Sequence, residues 1–132
     1  MKTHELDTPV VVVDLARLEA NITRLQHYLD EHQIANRPHI KTHKIPEIAL
    51  QQIAAGATGI TSQKVSEAEV MADAGINDIF IPYNIVGETK LMRLMRLAAR
   101  VTVSVTADSA PVVQGYAEAA LRAGMDTLQR AR

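Results

Sequence analysis

Cysteine and tryptophan are absent from this sequence of 132 residues, and aromatic residues make up only 3% of it. Without cysteine the chain can form no disulfide, no zinc–thiolate site and no thiol nucleophile. The chain also lacks an excess of positive charge, since 14 Lys and Arg residues are balanced by 15 Asp and Glu residues, and this argues against a nucleic acid partner. No apolar run is long enough for a transmembrane helix, and the N-terminal MKTHELDTPVVVVDL has too short an apolar run for a signal peptide. We therefore expect a cytoplasmic protein with no nucleic acid partner and no membrane partner.

Short runs rich in β-branched residues recur along the chain and predict strands. The length and the 47% hydrophobic content are those of one globular domain with a modest core. Strands are predicted over residues 8–14 (TPVVVVD), 37–41 (RPHIK), 58–62 (TGITS), 78–83 (DIFIPY) and 101–106 (VTVSVT).

Apolar stripes at helical spacing follow each of these runs. The first stripe consists of Leu15, Leu18, Ile22, Leu25 and Leu29. Asp14 can cap this first helix, Pro46 suits the first turn of the second helix, and Gly56 suits the end of the second helix. Ser66 and Glu69 have the spacing of a capping box, in which each side chain binds a free backbone N–H at the start of the third helix. The remaining helices are expected over residues 66–75, 91–100 and 109–124.

This regular alternation of strand and helix predicts an α/β fold with parallel strands. A (β/α) barrel and an open doubly wound sheet both fit the pattern. No GxGxxG follows the first strand and no GxxxxGK[ST] occurs, which favours the barrel over a nucleotide-binding open sheet. A complete (β/α)8 TIM-type barrel has about 250 residues. The sequence supplies about four βα units after the opening strand and helix, so we expect the truncated first half of such a barrel.

Polar side chains cluster where the predicted strands end, and in a parallel α/β fold these ends share one rim. The side chains are Lys41, Thr42, His43 and Lys44, then Ser62, Gln63 and Lys64, then Tyr83 and Asn84, and finally Thr106 and Asp108.

Lys41 is the candidate catalytic residue of this rim. Partial burial and neighbouring cations favour a free amine, which attacks aldehydes and can hold pyridoxal phosphate as a Schiff base. The alternative is a solvated basic loop. His39 and His43 are spaced four apart in an extended segment, which suits hydrogen bonding better than a shared metal ion. Gln63 and Tyr83 can contact a cofactor, or they can simply cap loops.

Three blocks of the sequence, in order, resemble one enzyme family. They are TPVVVVDLARLEANI, RPHIKTHKIPEIA and GITSQKVSEAEVMADAGINDIFIPYNIVG. The chain is identified through them, over roughly residues 8–124, as similar to the D-threonine aldolase and D-serine dehydratase family. These are fold-type III enzymes whose pyridoxal phosphate domain is a barrel of the alanine racemase N-terminal type.

The resemblance implies a cofactor, a substrate class and roles for several residues. Lys41 matches the lysine that forms the Schiff base with pyridoxal 5'-phosphate, and Gln63 matches a glutamine facing the cofactor; His39 and Tyr83 are further cofactor-binding candidates. The substrates implied are D-amino acids with a β-hydroxyl group, which are cleaved in a retro-aldol reaction or dehydrated. A divalent metal near that hydroxyl is also implied, but this sequence contains none of its ligands.

The resemblance also implies a division of the chain. Residues 1–14 are a strand segment that pairs with a C-terminal β domain in the family, residues 15–124 are the partial barrel, and residues 125–132 (MDTLQRAR) do not resemble the family. Two alternatives stay open, a cofactor-binding barrel without lyase activity and a non-catalytic remnant.

An isolated half-barrel has two further expected properties. We expect the chain alone to be inactive as a lyase, since the substrate must be held from several strand ends. We also expect it to self-associate, because an open sheet exposes its edges and its inner face. The side chains expected on that face are Ile40, Ile60, Ile79, Ile81, Val103 and Val105, in some alternation.

Overall fold

Helices and short parallel strands alternate along the part of the chain that the computed structural model describes, residues 2–125. The elements are α1 (Leu15–Glu31), α2 (Pro46–Ala54), β1 (Ile60–Thr61), α3 (Val65–Asp73), β2 (Asp78–Ile81), α4 (Glu88–Ala98), β3 (Thr102–Val105) and α5 (Ala110–Arg122). Two short 3₁₀ helices span Thr3–Glu5 and Ile40–Thr42. Within residues 2–125, no helix has the length and apolar character needed to cross a membrane. The predicted α/β class is confirmed.

The three strands form one parallel sheet in the order β1-β2-β3, as consecutive βα units require. Ile60 lies opposite Ile79, and Ile79 lies opposite Val103. Ile60 and Ile79 are fully buried in the core formed with the helices, as is Ile81. The other face of the sheet carries more polar residues.

The expectation that the isoleucines line an apolar inner face of the sheet is therefore wrong. Ile40, Ile60, Ile79 and Ile81 have no exposed surface and belong to the core cluster with the helices. Val103 and Val105 are partly buried against the same core. Alternation along a strand sends every second side chain to the opposite face, and Thr61, Phe80 and Ser104 occupy that face in register.

Two of the predicted strands are not formed. Residues 8–14 form no ladder, and Val11 is 92% exposed. Their β-branched run has no neighbouring strand among residues 2–125, and a strand requires a hydrogen-bonded partner. In the 37–41 segment only His39 pairs in parallel with Thr61, because the chain turns directly afterwards into the 3₁₀ helix.

Most of the expected helix ends are confirmed. The Asp14 side chain accepts a hydrogen bond from the N–H of Arg17, Pro46 begins α2, and Gly56 follows the end of α2 with φ +126°. The predicted capping box of Ser66 and Glu69 is wrong, since α3 begins one residue before Ser66. Glu69 instead binds Arg93 of α4, with 2.9 Å between its Oε1 and the arginine Nε.

Candidate active site

The basic segment RPHIKTHK begins with a structural residue rather than a reactive one. The guanidinium of Arg37 donates two hydrogen bonds to the carboxylate of Asp78 at the start of β2, at 2.8 and 3.0 Å. A bidentate pair of this kind fixes orientation as well as contributing energy. Gly59 lies beside it, where a Cβ would stand 2.2 Å from an Arg37 nitrogen, so only glycine leaves room for the pair. The segment is thereby anchored to the sheet ahead of His39.

His39 stands where the chain leaves the sheet, paired in parallel with Thr61 of β1. Its Nδ1 accepts a hydrogen bond from the backbone N–H of Lys41 at 3.3 Å. Burial lowers the pKa of His39, and the positive charge of Lys41 lowers it further; the Glu67 carboxylate and the Gln63 amide act in the opposite direction and are outweighed. The imidazole next to Lys41 is therefore neutral at neutral pH.

The two lysines of the segment have different surroundings. Lys41 is exposed and forms no salt bridge with any residue between 2 and 125. The Lys44 Nζ, in contrast, lies 3.0 Å from a carboxylate oxygen of Glu67. The backbone of Lys44 has φ +53°, and its N–H donates to the carbonyl of Ile40 at 2.8 Å. Lys41 and Lys44 thus differ in their ionic contacts although they are close in sequence.

Glu67 is a buried carboxylate in the first turn of α3, with 8% of its surface exposed. Besides the contact with Lys44, it accepts a hydrogen bond from the backbone N–H of Gln63 at 3.0 Å. Burial raises the pKa of Glu67, but the bonds from Lys44 and Gln63 and the charges of Lys44 and Lys64 together lower it below its ordinary value. Glu67 is therefore ionised at neutral pH.

His43 has a structural environment within the turn. Its Nδ1 accepts a hydrogen bond from the N–H of Ile45 at 3.0 Å. Burial lowers its pKa, and the bonding to Ile45 and to the side chain of Gln52 does not compensate for this. Among residues 2–125, no group of three or more His, Asp or Glu side chains is arranged to hold a metal ion.

Gln63 and Tyr83 line one cleft of about 280 Å³ at the C-terminal ends of β1 and β2. The cleft walls also include Lys64, Val65, Ser66, Ile81, Asn84, Ile85, Lys90 and Arg93. Tyr83 is 48% exposed, and Gln63 is partly buried. The expectation that these two strand ends share a rim is thus confirmed.

Tyr116 of α5 links the next two strand ends. Its hydroxyl accepts a hydrogen bond from the N–H of Ile85 at 2.8 Å and donates one to the carbonyl of Thr106 at 3.0 Å. Burial raises its pKa, so the phenol retains the proton that it donates. The hydroxyl of Tyr116 thus joins the loop after β2 to the loop after β3 through two hydrogen bonds.

The four predicted site residues fall into two overlapping groups. Lys41 and Gln63 both affect the pKa of His39, and Gln63 and Tyr83 share the cleft. Two important residues were missed in the sequence, Glu67 and Tyr116. Glu67 had a usable signal, since an acid in the first turn of a helix commonly binds free backbone N–H groups. Tyr116 had none, because its bonds join residues 10 and 31 positions away.

Comparison with known proteins gives the family of this chain and its coverage. The family model for the alanine racemase N-terminal domain matches residues 13–128. A D-threonine aldolase from Arthrobacter sp. is 48% identical over 119 residues, which cover 90% of this chain and 31% of that enzyme.

Solved structures extend the similarity to the backbone. The crystal structure of a D-threonine aldolase from Filomicrobium marinum superposes with a TM-score of 0.88 at 42% identity, covering 90% of this chain and 32% of that one. The D-threo-3-hydroxyaspartate dehydratase from Delftia sp. HT23 superposes with a TM-score of 0.84 at 35% identity, covering 92% and 32%. The chain thus spans about a third of the length of the relatives that it matches.

Proposed function

The chain belongs to the alanine racemase N-terminal domain family, and from this membership we propose that it forms the lysine-bearing part of a pyridoxal-phosphate-dependent lyase for β-hydroxy D-amino acids. The resemblance to D-threonine aldolases that the motifs indicated is confirmed by the 48% identity. Since the chain spans about a third of such enzymes, the reaction is proposed for a whole enzyme that contains this domain.

Lys41 carries the proposal. Lys41 is exposed and follows His39, which pairs with Thr61 of β1 and has a neutral imidazole. No carboxylate between residues 2 and 125 forms a salt bridge with Lys41. A lysine acts as a nucleophile only as the free amine. Lys44 does not meet this condition because Glu67 binds it.

The residues present fit the aldehyde end of pyridoxal phosphate. Lys41 would supply the amine that an aldehyde requires, and the neutral His39 and the amide of Gln63 would supply polar contacts beside it. When bound, the cofactor supplies an electron sink for the bond that breaks at the substrate.

The protein side of the chemistry follows from these surroundings. Lys41 would hold the cofactor at its aldehyde end through its Nζ. His39, neutral and with its Nδ1 occupied by the Lys41 N–H, fixes the backbone that carries the lysine. Gln63 and Tyr83 restrict access at the neighbouring strand ends.

Two reactions fit this domain equally well, and both occur among proteins similar to it. The relatives include a D-threonine aldolase and a D-threo-3-hydroxyaspartate dehydratase. The proposal accordingly covers retro-aldol cleavage to glycine and an aldehyde as well as loss of water. A divalent metal at the β-hydroxyl group belongs to the proposal through the family resemblance.

The test is reductive trapping on the purified 132-residue protein. Pyridoxal phosphate is added, sodium borohydride fixes any adduct, and peptide mapping locates it. We expect the label on Lys41 and its loss in Lys41→Ala. Lys41→Arg should also lose the label, since a guanidinium stays protonated.

A matched control is Lys2→Ala, which removes an exposed lysine of the N-terminal segment that does not line the cleft. It should leave the Lys41 label unchanged. Label on Lys44, or equal total label in Lys41→Ala, would contradict the assignment. Assays of glycine and ammonia release from D-threonine and D-serine, run on the enzyme that contains this domain, separate aldolase from dehydratase and both from a cofactor-binding protein without lyase activity.

A further inference from the structure

Glu67 is the one glutamate among residues 2–125 that is buried, and both of its contacts reach the segment around the candidate site. One carboxylate oxygen lies 3.0 Å from Lys44 Nζ, and the other accepts the N–H of Gln63 at 3.0 Å. Burying a carboxylate is costly unless it is paired and hydrogen-bonded. The contacts with Lys44 and with the Gln63 N–H offset the cost of burying the Glu67 carboxylate.

We propose that Glu67 is a positioning residue that determines which lysine of the RPHIKTHK segment reacts with an aldehyde, by binding Lys44 and leaving Lys41 free. The inference rests on the proposed role of Lys41 and assigns a role to a residue of α3 that does not itself touch the cofactor.

The geometry of the turn explains why a selecting group is needed. Lys41 and Lys44 are three residues apart, and both side chains are exposed enough to meet a small aldehyde. The left-handed backbone at Lys44 reverses the chain after the 3₁₀ helix and brings its side chain to α3. An ammonium held by a carboxylate has no free electron pair, so it does not attack a carbonyl carbon.

The second contact of Glu67 acts on the neighbouring strand end. By accepting the Gln63 N–H, it fixes the turn between β1 and α3 that brings Gln63 toward His39 and into the cleft. One buried carboxylate therefore sets both the lysine that is free and the position of the glutamine beside it.

The experiment compares amine reactivity in the absence of the cofactor. Formaldehyde with a mild borohydride reductant methylates free lysine amines, and mass spectrometry gives the Lys44 to Lys41 labelling ratio. In the unsubstituted protein we expect Lys44 to react more slowly than Lys41 and than Lys90, an exposed lysine outside every described salt bridge. Equal rates for Lys44 and Lys41 would overturn the inference without any variant.

Glu67→Gln keeps an oxygen that can accept the Gln63 N–H but removes the charge that holds Lys44. We expect the Lys44 to Lys41 ratio to rise severalfold, since the substitution removes the carboxylate charge that lies 3.0 Å from the Lys44 amine. Glu69→Gln is the matched control, because Glu69 lies on the same helix and binds Arg93 instead. The Lys44 to Lys41 labelling ratio of Glu69→Gln should equal that of the unsubstituted protein.

Glu67→Leu separates the two contacts. It should raise the labelling ratio as Glu67→Gln does and, in addition, speed hydrogen exchange at the Gln63 amide, which Glu67→Gln should leave protected. Circular dichroism checks that each variant is folded. An unchanged ratio in folded Glu67→Gln would refute the role of Glu67. Failure of pyridoxal phosphate to label Lys41 in the unsubstituted protein would refute the proposed function instead, so the two failures are distinguishable.

Discussion

Single residues of the RPHIKTHK segment differ in role because each meets a different partner. Arg37 binds Asp78, His39 pairs with β1, and Lys44 binds Glu67, which leaves Lys41 without an ion partner among residues 2–125. The sequence singles out Lys41 by its place at the predicted strand end and by the family motif, but it does not show which lysine has an ion partner. The distinction comes from a carboxylate more than 20 positions further along the chain.

The backbone of Lys44 provides a test at this scale. Its φ of +53° lies in the left-handed region, which costs residues with a Cβ roughly 1–2 kcal/mol. Lys44→Ala and Lys44→Gly both remove the ion pair with Glu67, but only glycine relieves the backbone. After allowing for the greater unfolded-state entropy of glycine, we expect Lys44→Gly to be more stable than Lys44→Ala by about 1 kcal/mol. Urea unfolding of the two variants measures the difference.

The same pair of substitutions at Lys90 is the control for that measurement. Lys90 lies in α4, where glycine is the less favourable residue, so Lys90→Gly should be less stable than Lys90→Ala by about 1 kcal/mol. Equal stability of the two Lys44 variants would show that the turn does not need a left-handed residue there.

At the scale of elements, α3 shows how tertiary contacts override a local signal. The spacing of Ser66 and Glu69 is that of a capping box, yet Glu69 binds Arg93 of α4 and Glu67 binds the N–H of Gln63. Glu69 is thus paired with a guanidinium on another helix, which makes a charge-assisted bond. Glu67 binds the local backbone as well as Lys44.

The packing of α5 gives a prediction at the same scale. Tyr116→Phe removes the hydroxyl that joins the loops after β2 and β3 and leaves the Ile85 N–H and the Thr106 carbonyl without this partner. Leaving such groups unsatisfied costs about 1–3 kcal/mol in total stability. We expect that loss in thermal or urea unfolding, together with faster hydrogen exchange at Ile85.

Tyr28→Phe is the matched control for this substitution. Tyr28 lies on α1 and is 55% exposed, so losing its hydroxyl should change the free energy of unfolding by less than about 0.5 kcal/mol. A Tyr116→Phe variant as stable as Tyr28→Phe would mean that the two loops are held by packing rather than by the hydroxyl.

At the scale of the whole molecule, apolar surface is exposed at the N-terminal segment and at α1 rather than on the sheet. Val10, Val11, Val12 and Val13 are each about half or more exposed, as are Leu15, Leu25 and Tyr28. Contiguous apolar surface on a monomer is usually an interaction site. Along β3, moreover, the described residues pair with β2 on one edge only.

We therefore expect the purified 132-residue protein to self-associate. Light scattering should give an average mass above that of the 14.5 kDa monomer, increasing with concentration. The double variant Val11→Lys and Val12→Lys should lower that mass, because charge on an apolar surface opposes association. Val113→Lys, an exposed valine on α5, controls for added charge alone. A monodisperse monomer that unfolds cooperatively would contradict the expectation.

The sequence by itself determined those features that depend on neighbouring residues. The β-branched runs located β1, β2 and β3 to within about two residues, and Asp14, Pro46 and Gly56 located helix ends. Strand alternation and helix capping act over a few residues, so local patterns are sufficient for them. The motif blocks also indicated the family that the comparisons gave.

The tertiary structure alone decided which strands form and which lysine is unpaired. The run 10–13 has the composition of a strand but pairs with no strand within residues 2–125, whereas the short run Ile60–Thr61 pairs with β2. Lys44 is paired because α3 brings Glu67 within 3.0 Å. Hydrogen-bonded ladders and buried ion pairs join residues distant in sequence, so their partners are known only once the chain is folded.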